Sequence, residues 1–127
     1  MTDLKRIILE IGTGNDLYGE DYTKAASRAV QDAIHHSSII MFRSLGLDPA
    51  KMIVNVTIGV EKPELVDCDA VAKTLPRGQA SVTATRGGMN VVDAENGTTS
   101  VIGVASVEAL YPIDPADWKV STDGNSD

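Results

Sequence analysis

The chain has 127 residues, of which 43% are hydrophobic, and its formal net charge is −7. This length and apolar content fit one domain with its own hydrophobic core and exclude a chain that is disordered throughout. The acidic balance makes nucleic acid and anionic membrane surfaces unfavourable partners. The single cysteine, Cys68, rules out an internal disulfide and indicates a reducing compartment.

No apolar run in the sequence approaches the roughly 20 residues that a membrane-spanning helix needs. Residues 1–6 also lack the apolar core of a signal peptide. We therefore predict a cytoplasmic protein with no membrane partner. Residues 1–112 are predicted to form a single α+β domain, and residues 113–127 a C-terminal extension whose polar end is partly disordered.

The first predicted strand, Lys5–Ile11, contains an apolar run that is typical of a strand covered on both faces. We expect Gly12 and Gly14 to end this strand and to open a glycine-rich turn that continues to Gly19. Such a turn lets the backbone approach a ligand closely, and the N-terminus of the following helix offers unpaired N–H groups.

A helix is predicted from Tyr22 to about Leu45, with Asp21 as its N-cap and an alanine-rich stripe on one side. The segment Met89–Asn96 fits either a continuation of a strand or one arm of a hairpin. The other predicted elements, in chain order, are the strand Met52–Val60, the short helix Cys68–Thr74, and the strands Gln79–Arg86 and Thr99–Leu110.

The order of these elements is β-α-β-α-β-β. It predicts an α+β fold with one four-stranded mixed sheet and both helices on the same face. The other face would then carry the side chains of strands that are rich in Val and Ile. Because a monomer would expose that face to water, we predict a homo-oligomer.

The polar residues in and beside the glycine-rich turn form the candidate site for a small-molecule ligand. Asp16 is expected to point into the ligand cavity rather than to cap the helix, because Asp21 is already placed for capping. The alternative is a tight strand-to-helix turn with no ligand. The candidate catalytic residues are Asp16, Tyr18 and Glu10, and the candidate ligand-binding residues in this region are Gly12, Thr13, Gly14, Gly19, Lys24 and Arg28.

Neither a metal ion nor an organic cofactor is predicted. His35 and His36 are adjacent, so on a helix their side chains diverge by about 100° and cannot share one metal ion. The glycine pattern also departs from two known cofactor motifs. Gly19 falls too late for a dinucleotide-binding turn, and no Gly-Lys-Ser/Thr follows to make a phosphate-binding loop.

The pattern Gly12-x-Gly14-x-Asp16-x-x-Gly19 resembles the signature G-x-G-x-D-x-H-G of the Lin0512 family of small proteins. The resemblance is strong over about the first 40 residues and continues through the helix that follows the turn. Tyr18 stands where the family has a histidine, so an acid–base or metal role of that histidine does not transfer to this chain. The resemblance brings no assigned activity.

A weaker resemblance is to one repeat of the ring-opening amidohydrolases, cyanuric acid hydrolase and barbiturase. It implies a single-repeat, Toblerone-like unit and three such units around an axis. Those enzymes use Lys–Ser pairs. Here Thr13 lies near the lysine position and Thr57 near the serine position, so Thr57 joins the candidate ligand-binding residues. The element order also resembles chorismate-mutase-like trimers, which bind small molecules between subunits.

Three functional hypotheses follow. The first is a small-molecule-binding protein that acts as a hydrolase on a small cyclic amide at a subunit interface. The second is a non-catalytic ligand-binding or regulatory oligomer with the same trimer-based architecture. The third is a subunit that needs a paralogous partner to supply the missing lysine and serine.

Overall fold

The computed structural model describes residues 3–35, 46–75 and 79–117 of the chain. Five strands form one mixed sheet, and two α-helices and three short 3-10 turns complete the described part. The strands are β1 (Asp3–Asp16), β2 (Ile53–Val60), β3 (Gln79–Arg86), β4 (Met89–Asp93) and β5 (Thr98–Ile113); the helices are α1 (Tyr22–His35) and α2 (Cys68–Ala72).

Strand β5 organises the sheet because all but one of the other strands pair with it. Strand β1 runs antiparallel along one side of β5 and is an edge strand. On the other side β5 pairs first with β4 and then with β2, both antiparallel. Strand β3 lies beyond β2 and runs parallel to it. The sheet is therefore mixed, as expected.

The prediction that β1 ends at Ile11 is wrong. The strand continues through Gly12 and Gly14, and pairing with β5 lasts until Asp16 lies opposite Val101. A Cβ atom at Gly12 would collide with the backbone of α1, as would one at Gly14. Both glycines are thus explained by the close approach of helix and strand, and they do not form a turn.

Helix α1 covers one face of the sheet with its alanine-rich stripe, as its sequence predicts. The expected continuation of this helix to Leu45 falls outside the described residues. The fully buried helix residues Ala25, Ala26, Ala29, Val30 and Ala33 pack on the buried sheet residues Val54, Val56, Ile58, Val101, Ala105 and Val107. Small side chains on the helix and glycines on β1 keep the two elements close.

The sheet has five strands rather than the predicted four, because Met89–Asp93 forms a separate hairpin arm, β4. Gly87 and Gly88 carry the chain from β3 to the side of β5, just past the end of β2. Gly88 has a φ of +64°, and a Cβ atom there would collide with the carbonyl oxygen of Ile102. This crossing requires glycine for conformation as well as for space.

The C-terminal part of the described chain extends past the predicted domain limit at residue 112. Strand β5 continues to Ile113, and a 3-10 turn follows at Pro115–Asp117. The predicted disordered end of the extension falls outside the described residues. Among the helices of the part that the structure describes, none is long and apolar enough to cross a membrane.

Candidate functional site

The face of the sheet opposite α1, called the open face below, is not covered by the described helices. Six apolar residues on it form an apolar stripe that crosses β1, β5 and β4. Several are well exposed, including Ile11 at 65% and Met89 at 57%. Register places Met89 directly opposite Ile102 on this face. The stripe comprises Leu9, Ile11, Met89, Val91, Ile102 and Val104.

Beyond the apolar stripe, the open face of β2 and β3 carries mainly polar residues, with Ile53 opposite Leu110 as an exception at its far end. Ser106 lies opposite Thr57, and Thr57 lies opposite Thr83, so three hydroxyl groups form a row across the strands. Glu108 accepts a hydrogen bond of 3.5 Å from the Asn55 amide. A polar sheet surface of this kind is typical of a face in contact with water. The apolar stripe is not typical of a face in contact with water.

Asp16 lies at the end of β1 on the helix-covered side and is only 6% exposed. Its Oδ2 accepts a hydrogen bond of 2.9 Å from the backbone N–H of Asp21. Asp21 in turn accepts one of 3.0 Å from the Lys24 N–H, which confirms the predicted N-cap of α1. Asp16 therefore fixes the turn, so the expectation that its carboxylate points free into a cavity is wrong.

Two cationic side chains converge on the other oxygen of the same carboxylate. The Lys24 ammonium is 4.0 Å and the Arg28 guanidinium 3.8 Å from Asp16 Oδ1. Both cationic side chains remain about half exposed. Gly19 completes this group, because a Cβ atom there would lie 2.9 Å from Asp16 Oδ2. Tyr18, in the same turn, is 80% exposed.

Four of the predicted site residues are therefore brought together, with Tyr18 beside them, and the others are not. Glu10 lies on β1 six residues before Asp16, which is about 20 Å along an extended strand. Thr13 and Thr57 lie on the open face, on the side of the sheet opposite Asp16. Gly12 and Gly14 face α1. The predicted site residues thus lie on both faces of the sheet and near both ends of α1.

One feature of this region was not predicted from the sequence. Asp32 of α1 accepts a hydrogen bond of 3.0 Å from the Thr13 N–H, and Arg28 donates one of 2.7 Å to the Asn15 carbonyl. These two helix side chains occupy the outer edge of β1. Their spacing of four residues on a helix predicts an ion pair between the two side chains, and it carries no signal for contacts with β1.

A second unpredicted contact lies below the N-terminus of α1. Asn90 of β4 donates a hydrogen bond of 2.8 Å to the Tyr22 hydroxyl, and its buried Oδ1 has no hydrogen-bond partner among the described residues. Across residues 3–35, 46–75 and 79–117, no three His, Cys, Asp or Glu side chains are grouped so that they could share a metal ion.

The comparisons with known proteins agree with the sequence signature at residues 12–19. The family model described as "Conserved hypothetical protein (Lin0512_fam)" matches residues 6–109. The chain belongs to the Lin0512 family. This Lin0512 protein is also similar to a protein of known crystal structure, described as an FtsZ-like protein of unknown function, from Nostoc punctiforme PCC 73102. The two chains are 35% identical with a TM-score of 0.76, over 89% of this chain and 100% of that one.

No functionally curated protein matches the chain. The resemblance to one repeat of the ring-opening amidohydrolases therefore stays an expectation.

Proposed function

We propose that this Lin0512 protein is a small-molecule-binding homo-oligomer whose ligand site is the turn at residues 16–21, completed by a neighbouring subunit. The observation that carries the proposal is the course of the apolar stripe, which leads to this turn. Val91 lies opposite Ser100, whose hydroxyl donates a hydrogen bond of 3.5 Å to the Leu17 carbonyl. Leu17 and Tyr18 then extend the exposed apolar surface into the turn.

The chemistry of the turn favours a ligand with carbonyl or carboxylate oxygens. Arg28 has five N–H donors and Lys24 has three, and their contacts with Asp16 and Asn15 use only some of them. Asp16 holds both cations in place while they stay half exposed. The exposed ring of Tyr18 supplies an apolar surface against which a small ligand can pack.

Binding without catalysis is better supported than hydrolysis. The Asp16 carboxylate already accepts a hydrogen bond and faces two cations, so it is not a free general base. The resemblance to the amidohydrolases supports the alternative, a hydrolase acting on a small cyclic amide. Against that alternative, the open face in the described ranges carries threonines at positions 13 and 57 and no lysine.

The trimer-based assembly and the cytoplasmic location are parts of the same proposal. The trimer rests on the resemblance to trimeric folds that bind ligands between subunits, and the location rests on the single cysteine. A paralogous partner that supplies the missing lysine and serine is the remaining alternative. Co-purification of a second, related chain from the native host would favour it over a homo-oligomer.

The experiment is a thermal-shift screen of small carboxylates and cyclic amides, followed by calorimetric titration of each hit. For a hit that binds at the turn, Arg28→Gln and Lys24→Gln should each weaken binding by about tenfold or more, the effect of one charge-assisted hydrogen bond. Lys51→Gln, at an exposed position away from the turn, is the matched control. Unchanged affinity in both turn variants would place the site elsewhere, and turnover of a hit would favour the hydrolase.

A further inference from the structure

The turn between β4 and β5 contains the dipeptide Asn96-Gly97, and all residues from Asp93 to Gly97 are exposed. No other asparagine in the sequence is followed by glycine. Asparagine is a chemically labile residue, because the backbone nitrogen of the next residue can attack its side-chain amide carbon. Glycine at that next position has no Cβ atom to hinder the approach. The turn therefore holds a combination of residues that favours spontaneous loss of the amide.

The carboxylate of Asp93 holds this amide in place. Asp93 Oδ2 accepts a hydrogen bond of 2.8 Å from the Asn96 side-chain N–H, and Asp93 Oδ1 accepts one of 3.2 Å from the Asn96 backbone N–H. The side-chain bond and then the backbone bond lower the pKa of Asp93 below its usual 3.8, so the carboxylate is charged at neutral pH. The bonds oppose rotation of the amide, and the negative charge disfavours a deprotonated nitrogen nearby.

We propose that Asn96 is a site of spontaneous deamidation, that Asp93 slows the reaction, and that the product loosens β4. In the first step the Gly97 nitrogen forms a bond to Cγ of Asn96, and the bond between Cγ and Nδ2 breaks. Nδ2 leaves as ammonia and takes up the proton that the Gly97 nitrogen gives up. The product of this step is a cyclic imide, a succinimide, that links residues 96 and 97.

Water completes the reaction and leaves a carboxylate at position 96. It adds to either carbonyl carbon of the imide and breaks the bond from that carbon to the Gly97 nitrogen. Addition at Cγ gives aspartate, and addition at the main-chain carbon gives isoaspartate, in which the chain continues through the side chain. The reaction needs only water as a co-reactant, and it does not depend on the ligand site proposed above.

Either product places two carboxylates where the structure has a hydrogen-bonded pair. The amide that donates to Asp93 at 2.8 Å is replaced by a group of like charge, which repels Asp93. Asp93 and Thr98 are the pair of the β4–β5 ladder that lies next to the turn. The repulsion thus acts at the end of the ladder and weakens the attachment of β4, which carries Met89 and Val91 of the apolar stripe.

Incubation at mildly alkaline pH in water enriched in heavy oxygen tests the reaction. Peptide mapping by mass spectrometry should find the label in a new carboxyl group at residue 96, while Asn55 and Asn90, which lie in strands, keep their amides. Asp93→Ala should react faster by about fivefold or more, the rate equivalent of one typical hydrogen bond. Glu95→Ala, which removes an exposed carboxylate from the same turn, is the matched control and should react at close to the wild-type rate.

Two results of this incubation would overturn the proposal. One is an intact Asn96 amide in both wild type and Asp93→Ala, and the other is an equal rate in Asp93→Ala and Glu95→Ala. Asn96→Asp, which carries the charge of the product, tests the loosening of β4. Backbone hydrogen exchange in β4 should be faster in this variant than in wild type at neutral pH. Unchanged exchange would contradict the loosening.

Discussion

The two faces of the sheet are built from alternate residues of the same strands, and they differ in the size of the side chains that fit on them. On the helix-covered face of β1, Gly12 and Gly14 leave no room for a Cβ atom, since the backbone of α1 occupies that space. On the open face, Leu9 and Ile11 are large, apolar and exposed. The covered face packs on α1 within one subunit. The open face carries an apolar surface that none of the described helices covers, which is where a partner is expected.

The largest expected effect is on the covered face. Gly14→Val would place side-chain atoms against the backbone of Ala29, which cannot move without displacing the helix. We expect a loss of about 3 kcal/mol or more in the free energy of unfolding, at or beyond the upper end of typical overpacking. Thr13→Val, the adjacent position on the open face, should change it by less than about 0.5 kcal/mol. Urea denaturation measures both, and equal effects would remove the distinction between the faces.

The same two glycines show which structural features a local sequence pattern predicts and which it does not. From the sequence alone, the spacing Gly12-x-Gly14 predicts a turn, because glycine adopts backbone conformations that other residues avoid. A spacing of two in a strand also puts both residues on one face, where they meet the alanine-rich stripe of α1. The helix, its N-cap and a sheet face left uncovered by the described helices follow from local pattern. The continuation of β1 depends on its pairing with β5, which lies 85 or more residues away and leaves no local signal.

Asp16 lies at the end of β1 on the helix-covered side, where its carboxylate is expected to stabilise the turn that follows. Asp16→Asn keeps a hydrogen-bond acceptor for the Asp21 N–H but removes the charge that faces Lys24 and Arg28. Because both cations are half exposed, we expect a moderate loss of about 1–2 kcal/mol in the free energy of unfolding. Glu20→Gln, exposed in the same turn, is the control and should stay within about 0.5 kcal/mol. If Asp16→Asn leaves the free energy of unfolding unchanged, the ion pairs do not stabilise the turn.

Tyr111 gives a smaller effect on the covered face. Its hydroxyl accepts a hydrogen bond of 2.9 Å from the Asp48 N–H and donates one of 3.1 Å to the Asp48 carbonyl. Tyr111→Phe should therefore cost about 1 kcal/mol of unfolding free energy, near the value of a typical hydrogen bond. Tyr18→Phe, at the exposed tyrosine of the turn, should cost nothing measurable in thermal unfolding. If Tyr18→Phe is the more costly of the two, the turn contributes contacts within the subunit that the structure does not show.

The smallest effect concerns pH and the exposed turn of the β4–β5 hairpin. A hydrogen bond from the Asn96 side chain, helped by backbone N–H groups, lowers the pKa of Asp93 below its usual 3.8. A lowered pKa in the folded state stabilises the protein above the unfolded-state pKa, and this contribution is lost as the pH falls through the folded-state value. Wild type should thus melt slightly above Asn96→Ala near pH 6, by an amount that shrinks below about pH 4. A difference that is constant with pH would exclude this linkage.

The candidate site was predicted in part. Asp16, Gly19, Lys24 and Arg28 converge because the turn and the first two turns of α1 are close in sequence, so local spacing was sufficient. Glu10 was included because it precedes the glycines, but an extended β1 carries it to the other end of α1. The occupation of the β1 edge by Arg28 and Asp32 requires knowing that β1 is an edge strand, and this is a property of the whole sheet.

The claim that the open face belongs to an assembly is tested most directly by light scattering of the purified protein at micromolar concentration. We predict a single species whose mass is a multiple of the subunit mass. Replacing Ile11 and Val104, both exposed in the apolar stripe, by lysine should convert that species to folded monomers. A wild-type protein that is a stable monomer at this concentration would contradict the account, because the apolar stripe would then face water without a partner.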